Sequence, residues 1–256
     1  FSHEVFDKDL TIQAGYGYEP VVELEIGLNK LGLRYRPDRD VEAQHMLKVT
    51  AGTLTLEGLR LQFDPPISSK PLPWKAALVT GGTLRLLNTS ISEGNRRGMA
   101  SVVLAGPGNV YARNSMFIGG RAAVEVVASG EPQTVTLENC LIYTPIAAAV
   151  INDPAKKAIA AVTWRLYNCG VQADECFTAA GVTGNIEIDS YQTLYRCDSL
   201  GMSLLPSTTA STGRTWVGDS NVYNVKNWIG ALGKANTKVS SPSTFASSRT
   251  ALLPMN

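Results

Sequence analysis

Arginine and tyrosine recur at two alternate positions of a phrase that the chain repeats six times, and both residue types are suited to holding a polymer. A guanidinium binds a carboxylate or a sulfate through two parallel hydrogen bonds. A tyrosine ring offers a rigid apolar face for a sugar ring, with a hydroxyl at its edge. The sequence therefore predicts a surface that binds an acidic glycan. Its candidate residues are Arg85, Tyr111, Arg165 and Tyr195 at the first position, and Arg113 and Tyr167 at the second.

The sequence gives less evidence for catalysis than for binding. A glycoside hydrolase needs two carboxyl groups about 5 to 9.5 Å apart, and the aligned copies show no such outward pair. A lyase needs carboxylates around Ca²⁺ and a basic residue that takes a proton. The acids of "PDRD" (37–40) and "ADE" (173–175), and the two histidines, His3 and His45, are better explained as surface or structural residues. We therefore predict no catalytic residue, no metal site and no cofactor.

The repeated phrase is a short alternating strand that ends at a turn. Its apolar and polar residues alternate with a period of two, which is typical of a β-strand with one buried face. Successive copies begin 25 to 30 residues apart, and a second short apolar strand precedes most of them. The copies are "TLTLEGLRL" from Thr53, "TLRLLNTSI" from Thr83, "NVYARNSMF" from Asn109, "TVTLENCLI" from Thr134, "TWRLYNCGV" from Thr163 and "TLYRCDSLG" from Thr193.

The length and content of the repeat predict an all-β parallel solenoid. The chain shows no apolar i, i+3, i+4 pattern of helical length, which excludes helical repeats. A propeller blade needs four strands in about 40 residues or more, whereas a β-helix coil needs fewer strands and tolerates unequal lengths. We therefore expect a right-handed parallel β-helix of about seven to nine coils with capped ends.

One turn residue closes each copy, and it marks the corner of a coil. Asparagine and glycine tolerate the left-handed backbone that a sharp corner requires, and an asparagine amide can bond to the coils above and below it. Cysteines beside the corners, Cys140, Cys169 and Cys197, are expected to be reduced core residues, because free cysteine packs as a small apolar side chain. The predicted corners are Gly58, Asn88, Asn114, Asn139, Asn168 and Asp198.

Two phrases near the ends of the repeat, "LTIQAGYGYEPVVEL" (10–24) and "WVGDSNVYNVKNW" (216–228), carry a resemblance together with the asparagine corners. The repeat resembles the right-handed parallel β-helix of the pectate-lyase-like superfamily. More narrowly, the two phrases resemble β-helix domains appended to membrane-anchored serine/threonine kinases and other large surface proteins of planctomycete bacteria. The resemblance implies an extracytoplasmic location, at the cell surface or in the periplasm, and no defined activity.

Composition bounds the domain organisation and the partners. The repeat runs from about residue 44 to 200 without a polar linker, so we expect one domain over 1–256, with a cap and first coil in 1–43, regular coils in 44–230 and a tail in 231–256. The formal net charge is only +1, which predicts no nucleic-acid partner. Because no apolar run approaches 18 residues, we expect no direct membrane insertion of this segment.

Three functions remain open on the sequence alone. The leading one is a noncatalytic extracytoplasmic module that binds a glycan or surface polymer, as a sensing or adhesive domain, with an acidic polysaccharide or another surface protein as its partner. The second is a structural spacer or assembly unit, since exposed strands also carry tyrosine, threonine and arginine without binding anything. The third is a polysaccharide lyase or glycoside hydrolase. A large apolar patch would favour assembly, and a polar, aromatic-lined surface would favour a glycan.

Overall fold

A computed structural model shows that the chain is an all-β parallel solenoid, which confirms the predicted fold class. The structure describes residues 4–25, 45–64, 75–93, 100–152, 159–180, 182–202, 214–230 and 251–252. These residues form 23 strands and no helix. All the described strand pairs are parallel, and each strand away from the ends of the sheets pairs with strands from the coils before and after its own.

One wall of the solenoid is an eight-stranded sheet, which we call the front face. The repeated phrases supply most of it, because their alternation buries one side of each strand and leaves the other outward. Its strands are β2 (Leu10–Gln13), β5 (Thr53–Glu57), β8 (Thr83–Leu87), β11 (Gly108–Arg113), β14 (Pro132–Glu138), β17 (Ile159–Tyr167), β19 (Thr183–Tyr191) and β21 (Arg214–Asp219).

Two further walls belong to one 15-stranded sheet. The side face holds β1 (Glu4–Phe6), β4 (His45–Val49), β7 (Lys75–Val79), β10 (Ala100–Leu104), β13 (Ala122–Val127) and β16 (Ala147–Asn152). The back face holds β3 (Val21–Glu25), β6 (Arg60–Asp64), β9 (Ser90–Glu93), β12 (Met116–Ile118) and β15 (Leu141–Tyr143). The remaining strands are β18 (Gly170–Ala180), β20 (Leu194–Met202), β22 (Val222–Gly230) and β23 (Ala251–Leu252).

The strand β18 explains why the back and side faces join. Its first residues pair with β15 of the back face, and its later residues pair with β16 of the side face. The strands β20 and β22 repeat this path in the next coils. From residue 170 onward, therefore, the chain passes from the back face to the side face within one bent strand, without the separate turn that the earlier coils use.

The core changes character along the solenoid. In the first coils the inward residues of the front face are aliphatic, as in Leu54, Leu56, Leu84 and Leu86, all of which are buried. Complete burial of one such side chain stabilises the fold by about 1.5 to 3 kcal/mol. The later coils hold an aromatic cluster, in which neighbouring ring centroids lie 5.2 to 5.9 Å apart. Its members are Trp164, Phe177, Tyr195, Trp216 and Tyr223.

The corners after the front-face strands are left-handed, as the sequence predicted for Gly58 and for four asparagines. The asparagines, Asn88, Asn114, Asn139 and Asn168, have φ angles of 50 to 54°. Their side chains are exposed, and the amides form a ladder, because Asn139 Nδ2 donates to Asn114 Oδ1 at 2.7 Å and Asn114 Nδ2 donates to Asn88 Oδ1 at 3.2 Å.

The predicted corner at Asp198 is wrong. The sixth corner is Gln192, with φ of 53°, and the next is Ser220, with φ of 57°. Asp198 instead lies on an exposed position within β20. Neither glutamine nor serine has the marked tolerance of asparagine for this backbone region, so the sequence carries no signal at these two corners.

A column of buried polar side chains follows the corners. Thr89 Oγ1 donates to the carbonyls of Leu56 and Leu87, at 3.1 and 2.9 Å. The thiols of Cys140 and Cys169 take the same place and make the same two types of contact, at 3.3 to 3.5 Å. Since Cys140, Cys169 and Cys197 are all buried and free, their assignment to the core is confirmed.

Candidate binding face

The front face presents two outward rows in which residues of adjacent strands stand in register. The first row contains Thr55, Arg85, Tyr111, Thr136, Arg165 and Asp189. The second contains Glu57, Leu87, Arg113, Glu138, Tyr167 and Tyr191. Neighbouring strands lie about 4.8 Å apart, so residues of successive coils come into contact along each row. Five of the six predicted binding residues therefore share this surface.

The prediction that Tyr195 lies in the first row is wrong. Tyr195 belongs to β20, between Val171 and Tyr223 of the neighbouring strands, and its side chain is 0% exposed. It is the third residue after the corner at Gln192, a place where the preceding coils have the buried residues Ile142 and Val171. Its hydroxyl lies 2.7 Å from Ser190 Oγ, which satisfies the polar atom inside the core.

Asp189 and Tyr191 take the outward places that the sequence alignment gave to Tyr195 and Cys197. They lie on β19, together with exposed Glu187. The alternation in "NIEIDSY" could have identified this strand as part of the front face. The alignment missed it because the corner that follows it is Gln192 and not asparagine.

Arg85, Tyr111 and Glu138 form one connected group across three strands. The guanidinium carbon of Arg85 lies 5.7 Å from the centre of the Tyr111 ring, in a cation–π contact. The Tyr111 hydroxyl donates to Glu138 Oε2 at 2.7 Å. Partial burial raises the pKa of Tyr111, and the hydrogen bond to Glu138 raises that pKa further. The phenol is therefore a donor, and its ring is held in one orientation.

A second group lies on the next two strands. Arg165 Nε is 3.7 Å from Asp189 Oδ2. The rings of Tyr167 and Tyr191 are stacked, with centroids 5.7 Å apart and planes inclined by only 11°. Both rings are partly exposed, so together they form a small flat aromatic surface beside the ion pair.

Carboxylates outnumber guanidinium groups on the described outward positions of the front face. The acids are Glu57, Glu138, Glu187, Asp189 and Asp219, and the arginines are Arg85, Arg113 and Arg165. Arg165 is paired with an acid, and Arg85 lies over a tyrosine. The surface therefore has mixed charge with a slight acidic excess, which differs from the cationic row that the sequence indicated.

The third outward position of the front face is mostly hydroxyl-bearing. On the five strands β5, β8, β11, β14 and β17, it is occupied by threonine four times and by Asn109 once. Asn109 Nδ2 donates to Thr83 Oγ1 at 3.3 Å. Beside the aromatic and charged rows, this row adds short polar groups that can both donate and accept hydrogen bonds.

The acids of β19 are the residues to consider for hydrolysis. Glu187 and Asp189 are two residues apart on one strand, so they project from the same side with Cα atoms about 6.6 Å apart. A general acid must be protonated at neutral pH, which requires burial or a neighbouring like charge. Glu187 is exposed, and Asp189 lies beside the Arg165 guanidinium. In the described part of the chain, no group of three or more His, Cys, Asp or Glu side chains is placed to hold a metal ion.

The back face carries an exposed apolar row. In the parallel register, Met116, Leu141, Gly170 and Leu194 follow one another on successive strands. Leu141 is 46% exposed and Leu194 is 49% exposed, and Tyr143, on the neighbouring row, is 50% exposed. Exposed apolar side chains that lie side by side on several coils are typical of a contact surface.

A carboxylate lies inside the coil, away from both surfaces. Glu93 lies two residues after the buried Ile91, on the same inward side of β9, and is only 6% exposed. Burial raises the pKa of Glu93 from 4.5 to about 7, against the opposing effects of the Ser101 hydroxyl and the Arg121 guanidinium. A carboxyl group with a raised pKa often marks a functional site. Because Glu93 is buried, we expect its raised pKa to affect the stability of the fold instead.

Comparison with known proteins found no match to this chain. No protein-family model, no curated protein and no solved structure matches the chain. The parallel solenoid is shown by the structure, and its outward faces are the features that bear on function. Among the described residues, no helix is long and apolar enough to cross a membrane.

Proposed function

We propose that the chain is a noncatalytic β-solenoid module, of the pectate-lyase-like type, that binds an extended glycan on its front face outside the cytoplasm. The observation that carries the proposal is the stacked Tyr167–Tyr191 pair, which lies in one row with Arg113 and Glu138. Flat aromatic groups flanked by donors and acceptors are the combination that orients a hydroxyl-rich ligand.

The spacing of the rows suits a linear polymer that crosses the strands. Arg85 and Arg165 are three strand intervals apart, or about 14 Å, which is long enough for a few sugar residues. The tyrosine rings supply apolar contact area, while the carboxylates and guanidinium groups supply hydrogen bonds to sugar hydroxyls. Contact with several coils at once compensates for weak individual contacts.

The charge balance favours a neutral glycan over the acidic polysaccharide that the sequence suggested. An acidic polymer would approach five carboxylates and only three arginines, one of which is already paired. Like charges brought together on a surface cost free energy, although salt screens that cost over about 10 Å at 0.1 M ionic strength. A hydroxyl-rich neutral chain avoids this repulsion and can still accept from the arginines.

The test is binding to a panel of soluble neutral and acidic polysaccharides, followed by titration of the best binder. We expect Tyr167→Ala and Arg113→Ala to weaken binding about 10-fold or more, corresponding to about 1.4 kcal/mol each. Tyr143→Ala and Arg196→Ala change the same residue types on the back face and should leave binding unchanged. Equal losses in all four variants, or no binder in the panel, would overturn the proposal.

Incubation with the same polysaccharide distinguishes binding from cleavage by a hydrolase or a lyase. We expect a bound polymer to keep its chain length during prolonged incubation, because Glu187 is exposed and Asp189 is paired with Arg165. New reducing ends or unsaturated products would indicate an enzyme. A parallel incubation with Glu187→Gln would then show whether β19 carries that activity.

The exposed row of the back face favours a second function, assembly through a second copy of this chain. Met116, Leu141 and Leu194 place exposed apolar groups in one row of the back face, so the same row of another copy could cover them. Light scattering after size-exclusion chromatography would then show a mass that doubles with concentration. Leu141→Ser should abolish the doubling, whereas Thr136→Ser on the front face should not. A monomer at all concentrations would exclude this function.

A further inference from the structure

Two cysteine side chains meet inside the coil near its later end. Cys176 lies on β18 and Cys197 on β20, and both are buried, with exposed fractions of 0% and 5%. Their Sγ atoms are 2.8 Å apart. A disulfide has a sulfur–sulfur distance of about 2.0 Å, so the two thiols are within about 0.8 Å of bonding distance.

The path of the chain explains why these two thiols face each other. Cys176 follows the bend of β18, on the part of the strand that belongs to the side face. Cys197 lies one coil later on the back-face part of β20, where it pairs with Ala173. The two side chains therefore come from different walls of the solenoid and converge at the corner between them.

Cys140 and Cys169 provide a contrast within the same molecule. They occupy equivalent places after the corners at Asn139 and Asn168, on successive coils. Their thiols contact backbone carbonyls, those of Ala112 and Glu138 for Cys140. Side chains stacked in parallel are poorly arranged for the dihedral angle of about 90° that a disulfide requires. Proximity along the column is therefore not enough to predict a bond there.

We propose that Cys176 and Cys197 are an oxidation site, which forms an intramolecular disulfide when the chain folds in the presence of a low-molecular-weight disulfide such as oxidised glutathione. One cysteine thiolate attacks the oxidant, forming a mixed disulfide and releasing one glutathione thiolate. The second cysteine thiolate attacks the mixed disulfide, forming the Cys176–Cys197 bond and releasing the second glutathione. Two cysteine thiols are oxidised and one glutathione disulfide is reduced to two thiols.

The folded core controls when this reaction occurs. Burial raises the pKa of the Cys176 thiol well above its ordinary value, and the nearby Cys197 raises it further. The thiolate is the nucleophile in disulfide exchange, so the native pair reacts slowly. The bond forms during folding or local opening, and once formed it is shielded from reductants. The sequence predicts that Cys197 stays reduced until unfolding, and its thiol is free in the structure. The proposed oxidation concerns the folding or opening chain, and its partner, Cys176, could not be placed from the sequence.

The bond would fasten the coil that supplies β19 to the front face. The segment between the two cysteines contains all of β19, with Asp189 and Tyr191. Closing a loop of this length restricts the unfolded chain, and we expect the thermal midpoint of the oxidised protein to rise by roughly 5 to 10 °C. This inference does not depend on glycan binding, since it rests on the core alone.

The experiment is to refold the full chain with oxidised and reduced glutathione, block the remaining thiols, and map the peptides by mass spectrometry. We expect a Cys176–Cys197 peptide pair, with Cys140 and Cys169 blocked as free thiols after denaturation. The thermal midpoint should fall to that of the reduced protein on treatment with a reductant under denaturing conditions and refolding. Recovery of all four cysteines as free thiols, or a Cys140–Cys169 bond, would overturn the proposal.

Matched variants separate the bond from a merely structural role of the thiols. Cys176→Ser and Cys197→Ser should each remove the linked peptide and the oxidant-dependent rise in midpoint. Cys169→Ser, which changes a buried thiol of the corner column, should retain both. If the serine variants of the pair do not fold, the comparison of the oxidised and reduced wild-type protein still decides the question, because it requires no substitution.

Discussion

At the scale of single residues, Glu93 links burial to pH. The folded-state pKa is raised to about 7, whereas the unfolded chain has the ordinary value of 4.5. Between these values the folded protein binds more protons than the unfolded chain, so stability decreases as pH rises through this window. Above about pH 7 the buried carboxyl group is ionised, and this lowers the stability of the fold by on the order of 3 kcal/mol for a pKa shift of this size.

We predict that Glu93→Gln removes this part of the pH dependence. At pH 8 the variant should be more stable than the wild type by about 1 to 3 kcal/mol, because no buried charge has to form. At pH 4.5 the two should be nearly equal. Thermal unfolding across this range would measure the difference, with Glu131→Gln as an exposed control that follows the wild type. Parallel curves for Glu93→Gln and wild type would show that Glu93 is solvated.

Gln192 adopts the left-handed backbone conformation of a corner, which asparagine and glycine tolerate better than glutamine does. Its φ is 53°, a region in which an ordinary side chain costs roughly 1 to 2 kcal/mol. We predict that Gln192→Gly raises the free energy of unfolding by about 0.5 to 1 kcal/mol, after the greater freedom of unfolded glycine is allowed for. Denaturant unfolding would measure it. Gln172→Gly, in the extended β18, should instead destabilise the protein.

At the scale of elements, the placing of β20 can be tested by two tyrosines that the sequence assigned to the same face. Tyr195→Ala should cost about 3 to 5 kcal/mol, because it empties a buried aromatic site and removes one of the hydrogen-bond partners of Ser190. Tyr167→Ala, on the outward side of β17, should cost about 1 kcal/mol or less, mainly the loss of stacking on Tyr191. Chemical denaturation of both variants measures the contrast. Equal costs would contradict the register of β20.

The elements also show how far the sequence determines this architecture. Alternating phrases with asparagine corners were sufficient to place β8, β11, β14 and β17, because asparagine tolerates the left-handed turn that each coil requires. The signal failed after residue 170. There β18 and β20 bend from one wall to the next without a turn residue, and the corner is Gln192. The contacts of the site, such as Arg165 with Asp189, could not be predicted. They depend on the register between neighbouring strands, which decides the residues that lie side by side.

At the scale of the whole molecule, the described strands pair only with strands of the preceding or following coil. The strand β5 pairs with β2 and β8, and β17 pairs with β14 and β19. These early and late strands therefore have no pairing partner in common. The stability of such a protein is approximately a sum of the coils and their interfaces. The front face therefore depends on several adjacent coils, and a defect in one part of the solenoid need not be felt at the other.

This coupling can be tested by a core substitution in an early coil. Leu56→Ala removes a buried side chain of β5 and should cost about 2 to 5 kcal/mol locally. In hydrogen–deuterium exchange, we expect faster exchange in peptides from β2, β5 and β8, with little change in β17 and β19, because the defect weakens only the neighbouring interfaces. Thr136→Ser, a change at an outward position of β14, serves as the control. Faster exchange throughout the chain would mean that the solenoid opens as one cooperative unit, and that the Tyr167–Tyr191 surface depends on every coil.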